Sequence, residues 1–178
     1  MLSLRCLAAF LAFLPLAATA PAPAAPAAGR SRISDADLRG AVIVLERGVC
    51  YGACPAYRVR ITGDGTVSFR GHEFVRYKTP RPAAIGRESV RALLAEFERA
   101  GFFGLPDVYS AEHCACAVAT DNPSAMTTLT FRGRTRTIDH DYGCHCAPAA
   151  LGELESAIDA AARVERWIGH GKEGGLRW

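Results

Sequence analysis

Apolar and polar positions along the chain change period several times, and each change marks an element. The run Ala41-Val-Ile-Val-Leu45 is continuously apolar and rich in branched side chains, the pattern of a strand buried on both faces near the middle of a sheet. After a cysteine-bearing loop, Tyr57, Val59 and Ile61 alternate with Arg58 and Arg60, which predicts a strand with one solvated face. Gly63-Asp64-Gly65 supplies the turn chemistry for a hairpin into a third strand at residues 66–69. Over residues 87–100 the period lengthens: Val90, Leu93, Leu94, Phe97 and Ala100 fall on one helical face, and Gly101 stands where a helix would end. Thr-rich strands at 124–131 and 134–139 meet at the short turn Arg132-Gly133. Pro148 suits a first helical turn, after which Leu151, Leu154, Ile158, Ala161 and Ala162 carry one apolar stripe toward Trp167.

The predicted order is β-β-β-α-β-β-α. Strands in runs with helices set between them imply an α+β domain, an antiparallel sheet with two helices packed on one face. The domain is expected over residues 41–168, followed by a flexible tail at 169–178. That tail holds Gly169-His-Gly-Lys-Glu-Gly-Gly175, which lacks the Ser or Thr a phosphate loop needs after its lysine.

The amino-terminal pattern differs. One positive charge at Arg5, an apolar run over residues 7–14 and then small residues with prolines make the three-part pattern of a secretory signal peptide, assigned to residues 1–24. A spanning helix needs about 20 apolar residues, and Pro15 interrupts this run early. Residues 25–40 read as a disordered Ala/Pro-rich leader. Of the 21 basic residues 19 are arginines, but they are scattered, and the net charge of +3 falls by one without Arg5. No basic stripe is left for nucleic acid to follow.

Export changes how the cysteines are read. Besides Cys6, six remain in three close sets: Cys50 and Cys54, Cys114 and Cys116, Cys144 and Cys146. An even number in an oxidising compartment implies three disulfides. Residues i and i+2 of an extended chain point to opposite sides, so the two Cys-x-Cys sets should staple to each other, leaving Cys50 and Cys54 to close a ring. The rival is a metal site of Cys114, Cys116, Cys144 and Cys146 with His113 and His145. One intervening residue is a shorter spacing than structural zinc sites use. Thiol-redox chemistry at Cys50-Tyr-Gly-Ala-Cys54-Pro55 wants a helix N-terminus to activate its first cysteine, whereas the residues that follow alternate like a strand. Asp139-His140-Asp141 with Ser110 or Ser124 has the residue types of a nucleophile triad but no Gly-x-Ser-x-Gly elbow. Asp121-Asn122-Pro123 reads as a turn rather than a cation loop. No catalytic residue and no cofactor is called for.

Several of these segments together carry a resemblance: Val44-Leu-Glu-Arg47, Cys50-Tyr-Gly-Ala-Cys-Pro-Ala-Tyr57, Gly63-Asp-Gly-Thr-Val67, residues 97–103, Thr120-Asp-Asn-Pro123 and His140-Asp-Tyr-Gly143. In this order, over about residues 41–160, the chain resembles the bacterial family known as domain of unknown function 6438. The resemblance implies the bounds of the domain and no activity. The expectation is an exported, non-enzymatic binding module of the periplasm or cell envelope, its partner an unidentified envelope protein or ligand. A thiol-redox or metal-handling protein using the cysteine pairs is the alternative.

Overall fold

The structure, a computed structural model, describes residues 33–169, which fall within one compact unit. The segments expected to be a signal peptide (1–24) and a flexible tail (beyond Gly169) lie outside the described residues. The elements are α1 (Asp35–Arg39), β1 (Val42–Arg47), β2 (Ala56–Thr62), β3 (Thr66–Glu73), β4 (Arg81–Ala84), α2 (Arg87–Arg99), a 3-10 turn (Phe102–Gly104), β5 (Val108–Tyr109), β6 (Ser124–Phe131), β7 (Arg134–Asp141), α3 (Ala149–Ala162) and α4 (Glu165–Ile168). The fold is α+β. Its seven strands lie in the order β4-β3-β2-β1-β6-β7-β5, antiparallel throughout except for the parallel pair β5–β7.

The continuous apolar run becomes β1, the central strand, paired on both sides: Leu45 stands opposite Val59 of β2 and Thr127 of β6. The flanking strands alternate. In β2 Val59 and Ile61 are buried while Arg58 and Arg60 are exposed, and in β3 Val67 and Phe69 are buried while Ser68 and Arg70 are exposed. The buried set shares one core with Leu93, Leu94 and Phe97 of α2 and Leu151, Leu154 and Ile158 of α3. Phe69 stacks on Trp167 at 4.8 Å between ring centres, which draws α4 into that core.

The β6–β7 turn has positive φ at both Arg132 (49°) and Gly133 (72°), the two-residue mirror-type turn whose twist matches the strands. Glycine takes that conformation freely; Arg132 is held in it by its side chain. Its guanidinium donates twice to Asp37 (2.9 and 3.2 Å) and once to Glu98 (2.9 Å), tying the turn to α1 and α2.

Several elements differ from the expected order. Residues 33–40 do not belong to a disordered leader: Ser34 and Asp37 form a capping box for α1, and Ile33 and Leu38 are buried. The two strands β4 and β5 are additions. β4 contains Pro82 opposite Ser68 and forms one edge of the sheet, a place where a missing N–H is tolerated. β5 has only two residues, too few to show a period. The last apolar stripe is two helices instead of one, broken at Arg163 with φ 53°.

α1 closes against the β2–β3 hairpin through Gly63, whose N–H donates to the Ala41 carbonyl at 2.9 Å. A Cβ at Gly63 would lie 1.6 Å from the Leu38 carbonyl oxygen, whereas one at Gly40 would meet nothing within 4 Å. Gly63→Ala should therefore lower the urea-unfolding free energy by about 1–3 kcal/mol. Gly40→Ala should leave it within about 1 kcal/mol of the parent. Asp37 adds a pH dependence. Hydrogen bonds from Arg132, then from Ser34, hold its carboxyl well below the usual 3.8. A carboxyl depressed in the folded state stabilises above its unfolded value, and that contribution is lost as pH falls through the folded one. The urea midpoints of the parent and Asp37→Asn should differ at pH 7 and converge as pH is lowered below about 4.

Candidate functional site

The inward row of the sheet carries more than apolar side chains. Arg47 follows Ile43 and Leu45 in phase on β1, Tyr57 precedes Val59 on β2, Thr127 lies between Ala125 and Leu129 on β6, and His140 follows Ile138 on β7; all four are buried. α3 lowers Glu155 and Asp159 onto them, one helical turn apart and buried among Leu154 and Ile158.

These side chains satisfy one another. The Arg47 guanidinium donates to Asp159 Oδ2 from two nitrogens, at 3.1 and 2.8 Å, and also to the Tyr142 hydroxyl. Tyr57 donates to Asp159 Oδ1 at 2.8 Å, so both carboxylate oxygens of Asp159 are engaged. Glu155 accepts from Tyr142, lies 3.1 and 3.2 Å from His140 Nδ1, and receives a longer contact from Thr127 at 3.4 Å. Arg47 is also within 3.6 Å of Glu155. Two carboxylates therefore face one fixed guanidinium, with His140 able to supply a second positive charge when protonated.

Burial sets the electrostatics. It disfavours the Arg47 charge, but Asp159, Tyr142, Tyr57 and Glu155 together outweigh it and raise the guanidinium above its ordinary value. Burial first and the neighbouring carboxylate second push both phenols up, Tyr57 beside Asp159 and Tyr142 beside Glu155. Both hydroxyls thus keep the protons they donate. Asp159 is raised as well, because burial outweighs the attraction of Arg47.

The strand ends that carry this cluster continue into three loops, 48–55, 110–123 and 142–148, bound to each other. Gly48 N–H donates to Ser124 O (2.8 Å), Tyr51 to Asp121 (3.2 Å), Ala119 to Gly143 (3.0 Å) and Tyr142 to Pro123 (3.1 Å). All six predicted cysteines lie here. Their sulfurs pair at disulfide distance as Cys50–Cys54, Cys114–Cys144 and Cys116–Cys146, with Cα separations of 5.6, 5.6 and 5.8 Å. Cys50 and Cys54 sit in irregular backbone ahead of β2, away from any helix N-terminus. His113 and His145 are exposed, and His113 Nδ1 lies 3.0 Å from Ser110 Oγ. His140, set beside the serines as a triad candidate, engages Glu155 instead. Asn122 donates to the Ala119 and Thr120 carbonyls at 3.2 Å, closing a turn.

Arg47, Tyr57, Thr127, Tyr142, Glu155 and Asp159 were not singled out from the sequence. The signal was their phase: each of the three on strands lies in step with buried apolar neighbours, and Glu155 and Asp159 interrupt the stripe of α3.

A small α+β domain with a buried ionic core and sulfur-paired loops is the class these features define. The family model described as "Domain of unknown function (DUF6438)" matches residues 41–162, and the chain belongs to that family. No curated protein matches it. Four residues of the cluster, Arg47, Tyr57, His140 and Tyr142, fall within the segments that carry the resemblance.

Removing one member of a buried charge cluster strands the others. Arg47→Leu should lower stability at pH 7 by about 3–5 kcal/mol, and Tyr57→Phe by about 1–3 kcal/mol, measured by urea unfolding. Without Arg47 the Asp159 carboxyl rises further, so the folded chain binds more protons than the unfolded one. The Arg47→Leu deficit should then shrink as pH falls from 7 to 5, and a deficit that grows would contradict the arrangement.

Proposed function

We propose that this chain is an exported, non-enzymatic interaction module of the periplasm or cell envelope that engages a protein partner through its cysteine-bearing loops. The observation that carries the reading is Tyr51. It stands 88% exposed beside Val49, itself 54% exposed, at the ring closed by Cys50 and Cys54. A large aromatic side chain on a short covalent ring meets a partner with little conformational entropy left to lose, which is what an interface anchor needs.

Three further features support the reading. The leader pattern at residues 1–24 suits export, and three sulfur pairs suit an oxidising compartment. Among the described residues no helix is long and apolar enough to cross a membrane. The ionisable groups of the core are committed to each other, and α2 with α3 against one face of the sheet leaves the loops as the chemically varied end.

The test uses the full chain in cells that export it, with a photo-crosslinking amino acid at position 51 and, as control, at Arg70 on the exposed side of β3. A discrete protein adduct is expected from position 51 alone, on a chain whose mass shows a removed leader. With that partner purified, Tyr51→Ala should weaken binding about tenfold or more. Binding unchanged by Tyr51→Ala, or a chain that keeps its leader and stays inside the cell, would overturn the proposal.

A further inference from the structure

The two Cys-x-Cys sets do more than pair. Sγ of Cys114 and Sγ of Cys116 lie 3.5 Å apart, and the sulfurs of Cys114, Cys116 and Cys146 all lie within 4.8 Å of one another. Cys144, buried and bonded to Cys114, brings the fourth. Two sulfur–sulfur bonds therefore link the two loops, with three sulfurs in one close group and that of Cys144 attached to it through its bond to Cys114. Among the described residues no imidazole nitrogen joins this group, so of the six-residue set of Cys114, Cys116, Cys144, Cys146, His113 and His145 the cysteines remain, three in the close group and Cys144 through its bond to Cys114.

The loops do not depend on sulfur to stay in register. The backbone bonds Ala119 to Gly143 and Tyr142 to Pro123, with the isolated bridge between Val118 and Cys144, join the same two segments. When the sulfur–sulfur bonds open, these hydrogen bonds still hold the two cysteine-bearing segments side by side. A tetrahedral zinc thiolate centre holds each sulfur about 2.3 Å from the ion, which sets neighbouring sulfurs about 3.8 Å apart. The Cys114–Cys116 contact is already near that value, so assembling the centre requires the bonded pairs to separate by about 1.7 Å and Cys144 Sγ to swing toward the other sulfurs, both by side-chain rotation. The short Cys-x-Cys spacing is then no obstacle, because each loop contributes two ligands to a shared ion and neither has to enclose it alone.

We propose that these four cysteines form a redox-gated zinc site: two disulfides when oxidised, one four-thiolate zinc centre when reduced. The co-reactant is a dithiol. Each disulfide accepts two electrons and two protons from one dithiol, which leaves as a disulfide; the four thiols then release four protons as they bind Zn²⁺. The Cys50–Cys54 ring takes no part. The inference goes beyond the interaction role and does not rest on it.

The full chain, purified oxidised, is reduced anaerobically on an immobilised dithiol, separated from it, and titrated with zinc against a chromogenic chelator. A parallel sample takes cobalt(II). One equivalent of zinc per chain is expected, blocked by prior alkylation, and the cobalt form should show the intense visible bands and thiolate charge transfer of a tetrahedral four-sulfur site. Cys116→Ser with Cys146→Ser should weaken zinc binding about tenfold or more, while Cys50→Ser with Cys54→Ser should leave it unchanged. A reduced parent chain that retains no zinc, cobalt spectra without thiolate charge transfer, or undiminished binding by the Cys116/Cys146 variant would each overturn the site. The cobalt spectrum of the parent decides the matter even if a variant fails to fold. None of these outcomes bears on Tyr51, whose crosslinking is measured on oxidised protein.

Discussion

The rest of the structure is organised around a guanidinium placed where a hydrocarbon would ordinarily go. β1 is central and its inward positions are fully covered, so Arg47 cannot reach water past its neighbours. Desolvating a charge costs several kcal/mol unless partners replace the lost water, and those partners have to come from whatever packs above. α3 supplies Asp159 and Glu155. Matching two carboxylates to one planar donor fork fixes both the rotation of α3 and its position along the sheet far more narrowly than Leu151, Leu154 and Ile158 could. Apolar packing tolerates a slide of part of a turn; two N–H donors converging on one carboxylate oxygen do not. The tyrosines extend the constraint sideways, Tyr57 from β2 and Tyr142 from the segment after β7, so that neighbouring strands are tied to one helix through the same two carboxylates.

The same end of the sheet holds the sulfur pairs, and the two devices act on different states. The ionic cluster selects among compact arrangements. The pairs Cys114–Cys144 and Cys116–Cys146, each 30 residues apart in sequence, act mainly on the unfolded chain. In the chain-entropy view the first closure contributes about 3–4 kcal/mol, and the second far less because the loop is already closed. A second bond parallel to the first is thus hard to explain by stability alone. The Cys50–Cys54 ring, closed over a separation of four, adds little by this route and chiefly shapes the backbone around Tyr51.

Much of the fold was legible because its period was local. The central strand, both hairpins and α2 each announce themselves within a dozen residues. α1 was hidden by the Ala/Pro-rich sequence before it, although Ser34 and Asp37 are a capping box that could have been read. β4 and β5 were not legible: one is an edge strand with a proline, the other too short to alternate, and both exist because a neighbouring strand offers them hydrogen bonds. The candidate site was half legible. Cysteine spacing pointed to the pairs, since the argument needs only chain geometry and compartment. The ionic cluster escaped because its members come from β1, β2, β6, β7 and α3, and each polar residue alone looks like a strand end or a helix surface. Only phase gives them away: Arg47 continues the row of Ile43 and Leu45, and Asp159 lies between Ile158 and Ala162 on a stripe that should have been apolar.

These placements bear on what chemistry the chain can offer. A general base needs a lone pair free to take a proton, and a nucleophile needs a neighbour that will accept its own. In the core the lone pairs of Asp159 and Glu155 already accept from Arg47, Tyr57, Tyr142 and Thr127, and both phenols are pushed further from ionising. Any reaction there would first have to break bonds that hold α3 on the sheet, so catalysis and folding would compete for the same atoms. The loops carry less of that conflict. Their backbone is fixed by hydrogen bonds of its own, and under the redox proposal a change at the sulfurs would meet the cluster at Tyr142, two residues from Cys144. The ionic cluster that holds α3 and the loops that carry the sulfur pairs thus share one end of the sheet and meet at Tyr142.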